Sequence, residues 1–457
     1  MVIGVILRIL IYVETHWTIL DGLIGFRFAE QLSLGHGLVF NAGERVSGNT
    51  SVLYSFILGV VGWCRLSIPL FSRFFGVGCD LLTLFLVLRI LTSFSGLRSP
   101  EFRFGIPIVI FLFPLTFPYA VSGMETSLYV ALMLFLIDRT LRKQDWTFFV
   151  AVALLFFCRP DSVIFVAASL LFITLTTRRI PWKPALVIFL IGVTYLGFNF
   201  VYYGSIVPNT LLAKAIAYHD SIGVNYHHIA GRFLKSDFAL AALLAAMISV
   251  FLWLRKIKLV LLLGIMSLSF FLFLLTVPHL RSWYVVPFLY LCLLLIAIGI
   301  GRLMVLKIPS VPRPLFLLVM AVYVLGCGLS TSFLIRQFRD IRRFEKATRA
   351  DPGQWLRENT PADARVFVTA LEVGYYSKRY TYDYPGLVTP AVWKLLRTNP
   401  GIDLFGLAEA TRADYVLIPA GGDPPPNFEF IRTFKCENPP PSFYLAYALY
   451  KRNNRNH

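Results

Sequence analysis

Asp21 is the first residue of this chain whose type and position could do chemistry. It stands where the first apolar run ends, within Leu20-Asp21-Gly22-Leu23-Ile24-Gly25-Phe26-Arg27-Phe28. A carboxylate at such a border, followed by an amphipathic stretch lying in the interface, occupies a half-wet, low-dielectric site suited to taking a proton from a sugar hydroxyl. The same residue could instead cap a helix starting at Gly22. A second place is Arg159-Pro160-Asp161, which interrupts the apolar stretch 148–175. Charge at that depth needs a partner, and an arginine there is a functional hypothesis by default, with a planar fork that matches phosphate. The alternative is a structural ion pair with Asp161 or Glu125.

Other polar residues fall at the same border. Glu125, behind Gly123-Met124, could bind a sugar hydroxyl, orient Arg159, hold a metal or cap the helix beginning near Thr126. Lys214 and Arg281 could meet a phosphate, or snorkel toward lipid headgroups. Asn209 after Pro208 offers a donor and an acceptor to hydroxyls, and Pro-Asn-Thr is equally an ordinary turn. Among the aromatic residues, Tyr202/Tyr203 and Trp283/Tyr284 sit at outer-loop edges, where rings could stack on a sugar. His16, His36, His219, His227, His228 and His279 all fall on the same predicted side, with His457 at the end. A divalent metal there is an alternative left open, but adjacent His227 and His228 point to different faces and are poor joint ligands. The six cysteines show neither a disulfide framework nor zinc spacing.

The elements that must position these residues are membrane spans. Of 457 residues, 57% are hydrophobic and 15% charged, and the mean hydropathy is +0.69. That is far more apolar than a soluble domain can bury, so a soluble enzyme is excluded. Runs long enough to cross ~30 Å of hydrocarbon recur, for example at 74–91, 184–201, 259–276, 285–300 and 315–334. The net charge of +18 falls in short clusters between these runs. Arg139/Arg142/Lys143, Arg178/Arg179/Lys183, Arg255/Lys256/Lys258 and Arg302/Lys307/Arg313 are each two crossings apart, a positive-inside pattern rather than a nucleic-acid surface. Residues 1–12 read as an uncleaved first span. About twelve apolar segments can be drawn, of which 51–63 is too short to cross, leaving about 11 spans. The stretch 148–175 reads as two short helices meeting below the membrane surface.

The alternation puts Asp21, Glu125, Asp161, Asn209 and Arg281 on the outer side, together with everything after 334. The polar block from Arg336 onward contains strand-like stretches at 365–369, 380–384, 415–419 and 443–450, with helix-like stretches at 390–397 and 404–410. The expected architecture is a multi-pass α-helical membrane module, 1–334, with a first outer loop at 19–50, and a small α/β extracytoplasmic domain at 335–457.

These strings, in order, carry a resemblance. The segment from Leu20 to Leu32 with Gly35-His36-Gly37-Leu38-Val39-Phe40-Asn41 and Gly43-Glu44-Arg45-Val46, then Ser122-Gly123-Met124-Glu125-Thr126, Arg159-Pro160-Asp161, Tyr203-Gly204-Ser205-Ile206-Val207-Pro208-Asn209-Thr210 and Arg281-Ser282-Trp283-Tyr284, resemble the GT-C glycosyltransferases of the bacterial terminal arabinofuranosyltransferase type. Asp383-Tyr384-Pro385-Gly386-Leu387 resembles a motif of that group's C-terminal domain. The resemblance implies an inverting transferase of the inner (cytoplasmic) membrane, with an acidic catalytic residue in the first outer loop and a polyprenyl-phosphate sugar donor. Asp21 is the residue carried over. Relatives commonly have two adjacent acids there where this chain has Leu20 and Asp21, and often Glu where Asp161 stands.

The physical reading adds that a departing polyprenyl phosphate gains negative charge, so Arg159, Lys214 and Arg281 are the candidate phosphate-binding cations. Arg27, His36, Asn41, Glu44, Glu125, Asp161, Asn209 and Tyr284 are the candidate substrate contacts. The sugar could be a pentose such as arabinofuranose or a hexose such as mannose, and the acceptor a cell-envelope glycan, lipid or protein. Two other functions fit a chain of this kind: a flippase for a lipid-linked saccharide, which would favour paired repeats not seen here, and an inactive envelope or flagellar scaffold on a transferase fold.

Overall fold

The computed structural model describes residues 1–92, 100–142, 145–217, 247–277, 281–305, 313–421, 424–437, 439 and 446–453, with backbone alone at 100–104, 303–305 and 313–320. Its first helix, α1 (Val2–Thr15), ends because His16 takes a left-handed φ of 46°. The chain then turns by 86° into α2 (Leu20–Ser33). A short apolar helix, α3 (Val52–Trp63), leads into α4 (Ile68–Thr92), which is 25 residues long and crosses outright. After α5 (Pro100–Phe111), the short α6 (Phe117–Val121) turns through 114° into α7 (Thr126–Arg142).

The interruption at Arg159 is present as read from the sequence. Helix α8 (Trp146–Cys158) stops there, a single 3-10 turn spans Pro160–Ser162, and α9 (Val163–Thr177) follows. Then come α10 (Trp182–Tyr203), α11 (Asn209–Ala217), α12 (Lys258–Thr276), α13 (Ser282–Val305) and the 33-residue α14 (Arg313–Glu345). One apolar core joins α4, α7, α8, α9, α12 and α13. Ring contacts continue through it: Tyr129 lies 5.9 Å from Phe165, which stacks on Phe270 at 4.7 Å.

The span count differs from the expected 11. Among the described residues, six helices are long and apolar enough to cross a membrane, or up to eight if each bent pair counts as one. Helices α3 and α8, with 12 and 13 residues, fall short of the ~20 a crossing needs. A hydropathy profile does not register sharp turns, so it merges or splits segments that the backbone treats otherwise.

One buried ion pair escaped the sequence reading. Arg8 is fully buried in α1; its Nε donates to Asp80 Oδ2 at 2.7 Å and its Nη2 to the Phe111 carbonyl at 2.9 Å. Its guanidinium also sits over the rings of Phe111 and Phe117, at 4.2 and 4.5 Å. These contacts satisfy a charge that would otherwise be prohibitive in an apolar bundle.

Helix α14 continues through a π turn (Lys346–Ala350) into α15 (Asp351–Asn359) and so into the C-terminal domain. There β1 (Arg365–Val368), β2 (Tyr380–Asp383), β3 (Tyr415–Pro419), β4 (Phe428–Lys435) and β5 (Ala446–Arg452) form one sheet in the order β2-β1-β3-β5-β4. β1 runs parallel to β2 and β3, and β5 antiparallel to β3 and β4. Strand alternation explains the two cores: Val366, Val368, Leu417 and Leu449 face one side with Leu356, and Phe367, Val416, Ile418 and Tyr450 face the other. That second face is covered by α17 (Pro390–Thr398) and α18 (Leu404–Ala410), with the short α16 (Val373–Ser377) between β1 and β2. The sequence reading found four of the five strands. It missed β4, an edge strand whose exposed Glu429, Arg432 and Lys435 mask its period.

Candidate active site

The site begins with the join between α2 and the turn before α7. The Ile19 amide donates to the Ser122 carbonyl at 3.0 Å. Gly22 lies so close to that turn that a Cβ would stand 3.3 Å from the Gly123 carbonyl oxygen, and Gly123 itself takes a φ of +85°. Tyr54 of α3 donates its hydroxyl to the same carbonyl at 3.2 Å. These contacts hold Asp21, in the first turn of α2, beside Glu125, just ahead of α7. Asp21 is not a cap: the N-cap position is Ile19, and no side chain caps the helix.

Arg159 closes the next wall. Its Nε and Nη2 donate to the two carboxylate oxygens of Asp161, at 3.0 and 2.9 Å, and its Nη1 lies 3.9 Å from Glu125 Oε1. Nη1 has no hydrogen-bond partner among the described residues and is buried. The guanidinium is also sandwiched by two rings, 4.8 Å from Tyr129 and 4.5 Å from Tyr284. The structural ion pair considered from the sequence is therefore real, and it leaves one donor edge unengaged.

Lys214 on α11 and Arg281 just before α13 complete the constellation. Asp21 is exposed to open space yet surrounded by protein, as on the wall of a deep cleft. Burial raises its carboxyl above the ordinary value, and the charges of Lys214 and Arg281 oppose that shift. Glu125 is raised as well, by burial first, against the pull of Arg159 and with the repulsion of Asp161 and Asp21. Burial lowers the Lys214 ammonium, Asp21 supports it, and Arg281 and Arg159 oppose it. Asp21, Glu125, Arg159, Asp161, Lys214, Arg281 and Tyr284 thus face one shared cleft, with two carboxylates ready to accept protons beside three cations.

The remaining candidates are placed elsewhere. Asn41 forms a reciprocal pair with the backbone of Thr381, donating and accepting at 3.0 Å each. Glu44 accepts from the Tyr380 hydroxyl at 2.5 Å. Asn209 donates to the carbonyls of Gly386 and Leu387 at 2.8 and 2.7 Å and accepts from Trp393 Nε1 at 2.7 Å. Arg27 donates to Glu30, which also pairs with Lys378 at 2.6 Å. His36 Nδ1 meets Gln31 Oε1 at 2.6 Å. The polar groups of Asn41, Glu44 and Asn209 therefore hold the C-terminal domain onto the outer loop and α11, which corrects their reading as substrate contacts. Tyr202 and Tyr203 also serve that loop, bonding the Leu38 amide and carbonyl at 2.8 and 3.3 Å.

This docking brings a residue the sequence reading missed. The loops after the parallel strands β1 and β2 face the membrane module: Leu371 packs with Phe28 and Phe40, and Tyr375 lies 6.2 Å from Phe26. Glu372, four residues beyond β1, lies 3.6 Å from Arg349. Its carboxyl is raised by burial first, with Arg349 opposing and Asp21 adding repulsion. An acid just past the carboxyl end of a parallel strand was the available signal. Among the described residues, no three His, Cys, Asp or Glu side chains are grouped to hold a metal, and His219, His227, His228 and His279 lie outside the described residues.

Comparison with known proteins agrees with this architecture. Residues 338–450 match a family model described as a domain of unknown function. A 227-residue stretch, 45% of the chain, is 30% identical to the terminal β-(1→2)-arabinofuranosyltransferase of Mycobacterium tuberculosis. The match spans 36% of that relative, so the chain aligns with about a third of its length. Over 99% of this chain and 97% of the other, the fold matches ArnT from Cupriavidus metallidurans, crystallised with undecaprenyl phosphate, at a TM-score of 0.62 and 12% identity. It also matches the oligosaccharyltransferase AglB from Archaeoglobus fulgidus, solved with an inhibitory peptide and a dolichol-phosphate, at a TM-score of 0.53 and 12% identity, over 91% of this chain and 69% of that one. The chain is a multi-pass membrane protein with a GT-C-like fold, and it resembles the terminal arabinofuranosyltransferase type.

Proposed function

We propose that this chain is a membrane glycosyltransferase that moves a sugar from a polyprenyl-phosphate donor to a cell-envelope glycan, lipid or protein, with inversion. The observation that carries the proposal is one cleft holding Asp21 together with Arg159, Lys214 and Arg281. The solved proteins that share the fold support it, since one was crystallised with undecaprenyl phosphate and the other with a dolichol-phosphate. The curated relative points to arabinofuranose as the sugar, with mannose as the hexose alternative.

In this mechanism the acceptor hydroxyl oxygen attacks the anomeric carbon from the face opposite the phosphate. The bond from that carbon to the phosphate oxygen breaks, and its electron pair leaves with the polyprenyl phosphate. The hydroxyl proton passes to Asp21, whose raised carboxyl is the better base for it. Lys214, Arg281 and the unengaged Nη1 of Arg159 stabilise the charge that collects on the phosphate. Glu125 and Asp161 fix Arg159, and Tyr284 provides a ring face beside it. Glu372 brings a carboxylate of the C-terminal domain, 335–457, toward the acceptor side. The cleft and that domain are assigned to the extracytoplasmic side of the inner membrane, with the arginine-rich loops inside.

The test is Asp21→Asn in membranes supplied with a labelled polyprenyl-phosphate sugar. Loss of about 10²-fold or more in transfer is expected, the usual effect of removing a general base. Full transfer by the variant would remove Asp21 from the mechanism.

A further inference from the structure

At the other end of α7 lies a second charged cluster that the reaction does not use. Asp138 stands thirteen positions beyond Glu125, about 20 Å along the helix, and therefore near the opposite membrane face. Its carboxylate is 2% exposed and accepts from three arginines: Arg89 Nε at 3.1 Å, Arg142 Nε at 2.7 Å and Arg139 Nε at 2.9 Å. Three positive charges thus meet one negative charge, and the cluster keeps an excess of cation.

Arg89 and Arg142 are tied by their Nε atoms to the same buried oxygen, Asp138 Oδ1, while their side chains stay 39% and 41% exposed. This fixes both guanidinium planes and lets both line an open groove of about 550 Å³. The rest of its wall is Phe85, Leu88 and Thr92 of α4, and Phe85 turns an exposed ring outward. An arginine that served topology alone would need no buried carboxylate to orient it. The groove joins donors of phosphate grade to an apolar wall on a spanning helix, at the depth where headgroups meet acyl chains.

The geometry points to a binding site for an anionic phospholipid, its phosphate held between Arg89 and Arg142 and an acyl chain along Phe85 and Leu88. A zwitterionic lipid carries its own cation next to the phosphate and would meet the excess positive charge of the cluster with repulsion. The site is independent of the transfer reaction and stands or falls separately from it.

Native mass spectrometry of the purified full chain, titrated with phosphatidylglycerol or phosphatidylcholine, tests the proposal. Phosphatidylglycerol is expected to bind preferentially, and Arg89→Ala/Arg142→Ala to lose about thirtyfold, roughly fivefold for each arginine. Arg179→Ala, in another basic loop, should keep the wild-type preference. Equal binding of the two lipids, or a double variant that binds like wild type, overturns the assignment. Because the double variant could perturb α7, wild-type protein is also photolabelled with a phosphatidylglycerol probe and mapped by peptide sequencing. Label on residues 85–92 supports the site; label only elsewhere, or label displaced as well by inorganic phosphate as by the lipid, refutes it.

Discussion

Arg159 holds Asp161 in place and, in the proposed mechanism, also meets the donor phosphate; a pair of variants separates the two roles. Arg159→Ala removes two charge-assisted bonds, at 3.0 and 2.9 Å, and leaves Asp161 with a side chain only 10% exposed and no guanidinium. Stranding one partner of a buried pair costs about 3–5 kcal/mol. The ring contacts at 4.5 and 4.8 Å add about 1–2 kcal/mol, so the single variant should unfold well below wild type in detergent. Adding Asp161→Ala removes the stranded charge and should return about 2–3 kcal/mol of that loss. Transfer should not return with it. Loss of one preorganised cation costs about 10²–10³ in rate whether or not Asp161 is present. Thermal unfolding and transfer of a labelled donor sugar, measured on the same preparations, give both readings. A double variant that regains both stability and transfer, to within about threefold of wild type, would show that Arg159 matters only as the partner of Asp161.

Asn209→Ala removes two bonds to Gly386 and Leu387 and orphans Trp393 Nε1. It should cost about 2–4 kcal/mol of domain docking, visible as faster proteolysis within 335–457, and unchanged proteolysis would refute the clamp. Gly123→Ala forces a Cβ onto a φ of +85° and within 2.7 Å of Phe26. A destabilisation of about 1–2 kcal/mol or more should appear as a lower Tm, with transfer falling further as Glu125 is displaced. The raised carboxyl of Asp21 gives opposite pH trends. The folded chain binds that proton more readily than the unfolded one, so its share of stability rises as pH falls through the raised value, while transfer declines over the same interval. Asp21→Asn should abolish that stability slope; an unchanged slope would assign it to other carboxyls.

The sequence exposed the features that act locally. Arg159-Pro160-Asp161 broke an apolar run and the helix breaks there; Asp21 closed the first run and lies at the cleft. In the outer domain, alternation revealed β1, β2, β3 and β5, whose faces are both covered, because two-sided burial leaves a clear apolar run. What stayed hidden depends on partners distant in the chain. Asn41 meets Thr381, 340 positions away, and Arg8 meets Asp80, 72 away. Residue type shows that Asn41 can donate and accept, but not whether its partner is a sugar or a backbone. Glu372 was hidden for the same reason, since only docking of the two domains turns it toward Asp21.

Helix α14 has a mechanical consequence. At 33 residues it is about 50 Å long, and it does not break where it leaves the hydrocarbon. Near that exit it is braced by Trp17 stacked on Phe338 at 4.0 Å and by Arg339 bonded to the Glu14 carbonyl at 3.3 Å. A rod fixed to both modules makes the elevation of the outer lobe a constant of the fold. In a thinner or thicker bilayer, mismatch is relieved by tilting such helices. The lobe and the cleft beneath it would then lean as one piece, keeping their mutual geometry while their angle to the membrane plane changes.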